Sequence, residues 1–218
     1  MAYVTSADGL RLAYDVTGQG AALLCLPGLT RNMEDFEPIC EAFAHRAQVI
    51  RMDFRGRGAS DWGDPASYQV PVEAGDVVAL LDHLGLDRVT ILGTSRGGLV
   101  ALVLAAMARD RIAGVIFNDI GPEIMPEGLS YIMDYLGKPP KFRTLAEAAA
   151  ALPRHYAPAF RDVPAENWAA LARRIYREEG GQLVNRYDPR LREAVAPAFA
   201  PDAVAPDLWP LFDALAGA

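Results

Sequence analysis

The sequence predicts an α/β protein: an open, mostly parallel, doubly wound sheet with a helical cap inserted after its sixth strand. Two observations lead there. Short apolar runs, each closed by Gly, Pro, Asn or Asp, alternate with stretches of helical length and spacing, which is the rhythm of right-handed β-α-β units. The runs also lack polar alternation, as expected of strands covered on both faces. With 218 residues, 51% of them hydrophobic, the chain is long enough for one well-buried core.

The elements follow in order. Tyr3 to Thr5 and Leu10 to Val16, separated by the Asp8-Gly9 turn, read as a hairpin. Ala21 to Leu26, Val49 to Met52, Val89 to Leu92 and Gly114 to Phe117 read as parallel strands, and Met33 to Ala44, Val72 to Leu84 and Leu99 to Arg109 as the helices between them. After Asp119 the apolar strands stop. Helices are expected over Leu129 to Leu136, Leu145 to His155, Ala165 to Glu179 and Pro189 to Val195, with a linker from Pro197 to Pro206. The expected organisation is therefore a six-stranded core over 1–122, a helical cap over 123–206 and a return segment toward the core over 207–218.

Composition narrows the function classes. The net charge of -7, with no basic stripe, argues against a nucleic-acid partner. The first residues lack the basic start and apolar core of a signal peptide, and no apolar run has the length of a membrane span, so a cytoplasmic location is the default. Cys25 and Cys40 lie in apolar stretches and read as buried thiols, with no metal-ligand spacing. No G-x-G-x-x-G follows the first parallel strand, which argues against a dinucleotide; neither cofactor nor metal is expected.

The strongest chemical signal is Gly93-Thr94-Ser95-Arg96-Gly97-Gly98, between an apolar strand and a helix. Glycines two residues on either side of Ser95 allow strand and helix to approach closely, so the turn lifts the serine hydroxyl above the sheet. The helix start directs free N–H groups at the space beside it. The bland reading is a structural turn with an incidental serine. Leu26-Pro27-Gly28-Leu29-Thr30 ends an earlier strand and should lie beside this elbow, since ligands in such sheets bind beyond the strands' carboxyl ends. The backbone N–H groups of Leu29 and Arg96 are the expected oxyanion donors.

Taken with Asp53-Phe54-Arg55-Gly56-Arg57-Gly58-Ala59-Ser60-Asp61, these motifs resemble the α/β-hydrolase superfamily, in its capped branch of esterases, haloperoxidase-like, epoxide-hydrolase-like and prolyl-aminopeptidase-like proteins. The resemblance covers essentially the whole chain and is strongest from residue 9 to 122. It implies acyl transfer: Ser95 attacks an ester or amide carbonyl of a small molecule after a histidine takes its proton, and water releases the acyl group. The 53–61 segment is read as structural, with Arg55 or Arg57 holding carboxylates or backbone oxygens. The Arg96 side chain is read as an internal salt bridge, with a substrate carboxylate as the alternative.

The resemblance also implies the order Ser, acid, His, and here the sequence departs from the pattern. The last two strands of the fold, with the residues they carry, are not found before Ala218. His45 and His83 end helices that run away from the Ser95 side. His155 is the remaining candidate base, against a surface role, and Asp119 a candidate acid, against a turn or capping role. Loss of such a base costs on the order of a millionfold in turnover, so the isolated chain is expected to be nearly inactive. Gly114 to Phe117 would then be an apolar edge, open to a further segment or a second copy. The rival reading is a non-catalytic small-molecule-binding protein on the same scaffold.

Overall fold

A computed structural model of the chain describes residues 1–156, 160, 162–199 and 206–216. The chain opens with the expected hairpin, β1 (Ala2–Thr5) and β2 (Arg11–Thr17). Then follow β3 (Ala21–Leu26), α1 (Glu37–Phe43), β4 (Ala47–Met52), α2 (Val70–His83), β5 (Val89–Thr94), α3 (Arg96–Met107) and β6 (Ile112–Asn118). The expected single helix over 33–44 divides into a 3-10 turn, Met33–Phe36, and α1. Pro38 in the first turn of α1 explains the break, because proline is accommodated at a helix start and not inside one.

Six strands form one sheet in the order β1-β2-β4-β3-β5-β6, antiparallel across the hairpin and parallel from β4 to β6. Its side chains alternate between two apolar layers. Leu24, Leu26, Ile50, Met52, Val89 and Ile91 pack with residues of α2 and α3, whereas Cys25 and Val49 face Phe36 and Cys40 on the α1 side. Both cysteines are buried and free, and burial pushes the Cys25 thiol up to about 12.

From Pro126 onward the chain leaves the sheet as α4 (Pro126–Tyr135), α5 (Leu145–Tyr156) and α6 (Ala165–Ile175). The helix expected over 165–179 ends at Ile175. A hairpin follows, β7 (Tyr176–Glu179) and β8 (Gln182–Asn185), turning through Gly180 and Gly181 at φ 59° and 77°. Two successive left-handed residues are what a tight two-residue hairpin turn requires, and the Gly-Gly pair supplies them without a steric penalty. Next come α7 (Leu191–Val195), a 3-10 turn over Ala196–Phe199 and α8 (Trp209–Asp213). Of the linker expected over 197–206, residues 200–205 lie outside the described residues, as do 217 and 218 of the return segment. The return is helical: Phe212 pairs with Phe117 of β6, and Arg109 donates to the carbonyls of Ala214 and Leu215.

β6 is the edge of the sheet. Its Ile116 is 52% exposed, so an apolar strand face and a row of backbone groups stand open there. Among the described residues no helix is long and apolar enough to cross a membrane.

Candidate active site

The strand order reverses about β3, which lies between β4 and β5. Loops leaving the carboxyl ends of β3 and β5 therefore diverge into helices on opposite faces and leave a crevice between them. The β3 loop carries Gly28 and Leu29; the β5 loop is Ser95, the residue before α3. A β-carbon placed on Gly28 would stand 3.9 Å from Ser95 Cβ and 3.3 Å from Arg31 Cγ, so these three residues form one wall.

Ser95 adopts φ 48° and ψ -109°, a conformation outside the ordinary regions for an L-residue. Its N–H is held by the carbonyl of Asn118 at the end of β6 (2.9 Å). The flanking glycines are required by distance. A β-carbon on Gly93 would stand 2.7 Å from the carbonyl oxygen of Gly97, and one on Gly97 2.7 Å from the carbonyl carbon of Leu26. Ser95 is half-buried, and its hydroxyl makes no hydrogen bond among the described residues. The N–H groups of Leu29 and Arg96 likewise have no acceptor there.

Behind the crevice lies a buried ion network. Arg57 Nη1 donates to Glu73 Oε1 and Arg96 Nε to Glu73 Oε2, both at 2.7 Å. Arg57 Nε also donates to the Leu29 carbonyl (2.9 Å), and Arg96 Nη2 to the Tyr68 carbonyl (2.9 Å). Burial works to raise the Glu73 carboxyl, but the two guanidiniums outweigh it and hold the group below its ordinary value. Arg55 closes a separate network with Asp76 and Asp8. The 53–61 segment thus holds carboxylates and backbone oxygens, and the Arg96 side chain is an internal salt bridge.

Among the described residues neither a histidine nor Asp119 makes a hydrogen bond to the Ser95 hydroxyl, although Asp119 directly follows Asn118, whose carbonyl holds the Ser95 N–H. His83 ends α2 and shares a hydrogen bond with Tyr14 (3.0 Å), and His45 is exposed after α1. His155 lies in α5, and its side chain is outside the described residues. Asp119 follows β6 with φ 55° and is exposed. Arg31 holds Asp35 through two 2.6 Å bonds. Tyr135 and Tyr176 neighbour it electrostatically, and burial raises both phenols.

Two open clefts flank this wall. One of about 500 Å³ is lined by Pro27, Gly28, Leu92, Thr94 and Asn118, and one of about 460 Å³ by Arg31, Tyr156, Trp168 and Leu171. Ser95 itself lines neither.

Sequence reasoning missed Glu73, Tyr68 and Asp188. A signal for Glu73 exists: Glu73 and Asp76 sit at i, i+3 on the helix face that also carries Val77, Leu80 and Leu81, and two arginines precede them in the 53–61 segment. Acidic residues on an apolar face require cationic partners.

Comparison with known proteins agrees with this geometry. Residues 21–181 match the model of the alpha/beta hydrolase fold family. The chain is 34% identical over 219 residues to a 3-hydroxybutyrate-oligomer hydrolase of Cupriavidus necator, covering 95% of this chain and 74% of that protein. It is 31% identical over 124 residues to a soluble epoxide hydrolase of a Corynebacterium, covering 57% of this chain and 43% of the relative. Among solved structures, an alpha/beta hydrolase from Novosphingobium aromaticivorans superposes with a TM-score of 0.88 at 40% identity, over 99% of this chain and 79% of that one. The sheet order, the close turn after β5 and these matches converge on one conclusion: the chain belongs to the α/β-hydrolase fold family and is a hydrolase of that family.

Proposed function

We propose that the protein is a serine-nucleophile hydrolase of a small-molecule ester, amide or related bond, and that Ser95 is the nucleophile. The observation that carries this reading is the backbone of Ser95, held at φ 48° where α3 approaches β5 and β3 too closely for side chains at Gly93 and Gly97. A purely structural turn has no need of that conformation in a serine. Attack by Ser95 Oγ on the carbonyl would create an oxyanion facing the two unpartnered N–H groups of Leu29 and Arg96, which stabilise it. Residues 123–206 serve as a cap that shapes the pocket, and the protein works in the cytoplasm without metal or cofactor.

The oligomer hydrolase similarity favours esters of short hydroxy acids as substrates. No described histidine reaches Ser95, so the base comes from outside the described groups and the isolated chain turns over slowly. Imidazole in solution substitutes for that base. Above the rate that imidazole gives without protein, hydrolysis of p-nitrophenyl butyrate and of 3-hydroxybutyrate dimer is expected to rise with imidazole and to disappear in Ser95→Ala; protein-dependent activity that survives Ser95→Ala refutes the assignment. A non-catalytic binding protein would show no Ser95-dependent rate under any condition. The open β6 edge completes the reading: it pairs with a further strand, supplied by a second copy when the chain is alone.

A further inference from the structure

We propose that Glu73 is a positioning residue for oxyanion stabilisation, joining from α2 the Leu29 loop and Arg96, the two oxyanion donors of the acyl-transfer reading. The inference rests on the acyl-transfer reading and adds a residue remote from the substrate.

An unbroken chain of hydrogen bonds carries the argument. It runs from the Leu29 carbonyl to Arg57 Nε (2.9 Å), from Arg57 Nη1 to Glu73 Oε1 (2.7 Å) and from Glu73 Oε2 to Arg96 Nε (2.7 Å). One end holds the peptide plane that follows Leu29, and so limits rotation at the first oxyanion donor of that reading. The other end holds Arg96, whose own N–H is the second donor. Arg57 is further locked by donating to the Arg55 carbonyl (2.6 Å), and Arg96 by donating to the Tyr68 carbonyl (2.9 Å). Glu73 and Arg57 are fully buried, so water offers no replacement for either partner. Oxyanion donors act through preorganisation, and a misplacement of about 1 Å costs on the order of a hundredfold in rate.

Charge alone makes the opposite forecast. Two guanidiniums share one carboxylate, and Arg57 Nη2 is buried without an acceptor among the described residues. Removing the negative charge of Glu73 would make the cluster more positive and favour a nearby oxyanion. A fall in rate on neutralising Glu73 therefore reports positioning. The neighbouring pair supplies the control. Asp76, three residues further along α2, holds Arg55 through two 2.7 Å bonds and is also buried, yet neither side chain touches the Leu29 loop or Arg96, and Arg55 meets Arg57 only through its carbonyl.

The test compares Glu73→Gln with Asp76→Asn in the Ser95-dependent, imidazole-assisted hydrolysis of p-nitrophenyl butyrate, with unfolding midpoints measured in parallel. Glu73→Gln is expected to lower kcat about 10- to 100-fold while KM stays within about twofold. Asp76→Asn is expected to lose comparable stability and keep kcat within about twofold. An unchanged or raised kcat in Glu73→Gln, or equal kcat losses in the two variants, overturns the proposal. If Glu73→Gln does not fold, Glu73→Asp carries the same expectation, since it keeps the negative charge and shortens the carboxylate's reach to Arg57 and Arg96. Loss of rate in Ser95→Ala with full rate in Glu73→Gln overturns the positioning role alone. Absence of any Ser95-dependent rate overturns both.

Discussion

Tyr68 donates its hydroxyl hydrogen to Asp188 at 2.7 Å, across 120 residues of sequence. The bond fastens the stretch between β8 and α7 to the sheet's own loops. Around it, Gly58 N–H donates to the Arg186 carbonyl and Asp188 N–H to the Gly56 carbonyl, both at 2.8 Å. Asn32 and Arg186 add further ties, to the Arg174 carbonyl and to Glu34 respectively (2.6 Å). The loop that holds Arg57 is thereby clamped from both sides.

Tyr68→Phe leaves the buried Asp188 carboxylate with Arg190 as its remaining side-chain donor. The expected cost is about 1–3 kcal/mol in denaturant unfolding. Burial works to raise the Asp188 carboxyl, but bonds from Arg190 and Tyr68 outweigh it and leave the group below its ordinary value. A depressed carboxyl contributes stability above its unfolded pKa and loses it as pH falls through the folded one. The difference between wild type and Tyr68→Phe should therefore shrink below about pH 4. A difference independent of pH would contradict this account.

Asp53 has the opposite sign. Burial raises its carboxyl to about 6, although it accepts N–H bonds from Met33 (2.6 Å) and Ala59 (2.8 Å). Raised above the unfolded value of 3.8, the group contributes stability that is complete below that value and is lost as pH rises through 6. Asp53→Asn lacks this titration. Its stability relative to wild type should improve between pH 4 and pH 7, by on the order of 3 kcal/mol. Denaturant midpoints at several pH values check it, and parallel profiles would count against the raised pKa.

Ser95→Gly tests the backbone at the elbow. Glycine tolerates φ 48° and ψ -109°, whereas alanine carries the same Cβ penalty as serine. Ser95→Gly should be more stable than Ser95→Ala by about 1–2 kcal/mol, with both inactive. Equal unfolding midpoints would mean that no strain is stored there.

The β6 edge predicts self-association. Light scattering of the 218-residue chain should give a mass above 23.6 kDa, and Ile116→Lys should return it to the monomer. A monodisperse wild-type monomer would refute pairing at this edge.

Several features were legible in the sequence because they are local. The run Ala21 to Leu26 is a strand with those same bounds, and the other parallel strands lie within two residues of their expected limits. Apolar runs and their closing residues act over a few positions. Gly93 is there for a contact with Gly97 one turn away, and the spacing of the glycines announced a sharp strand-to-helix turn, although Gly97 itself clears Leu26 of β3. The β7-β8 hairpin was also local and was misread, because Tyr176 to Glu179 continues a helical pattern until Gly180-Gly181 is given its weight.

Tertiary structure alone decided what the charged residues do. Arg55 and Arg57 are two positions apart in one loop, yet one closes on Asp8 and Asp76 while the other reaches Leu29 and Glu73. The partner of a buried charge depends on which elements the sheet order brings together. Local spacing does not encode it. The same holds for the wall of Gly28, Arg31 and Ser95, made of residues more than sixty positions apart in the chain and joined only because β3 lies beside β5. The sequence by itself determined the six strands of the sheet and the turn at Ser95; the crossing of the chain over the sheet determined what surrounds that turn, since burial forces each charge to take the partner within reach.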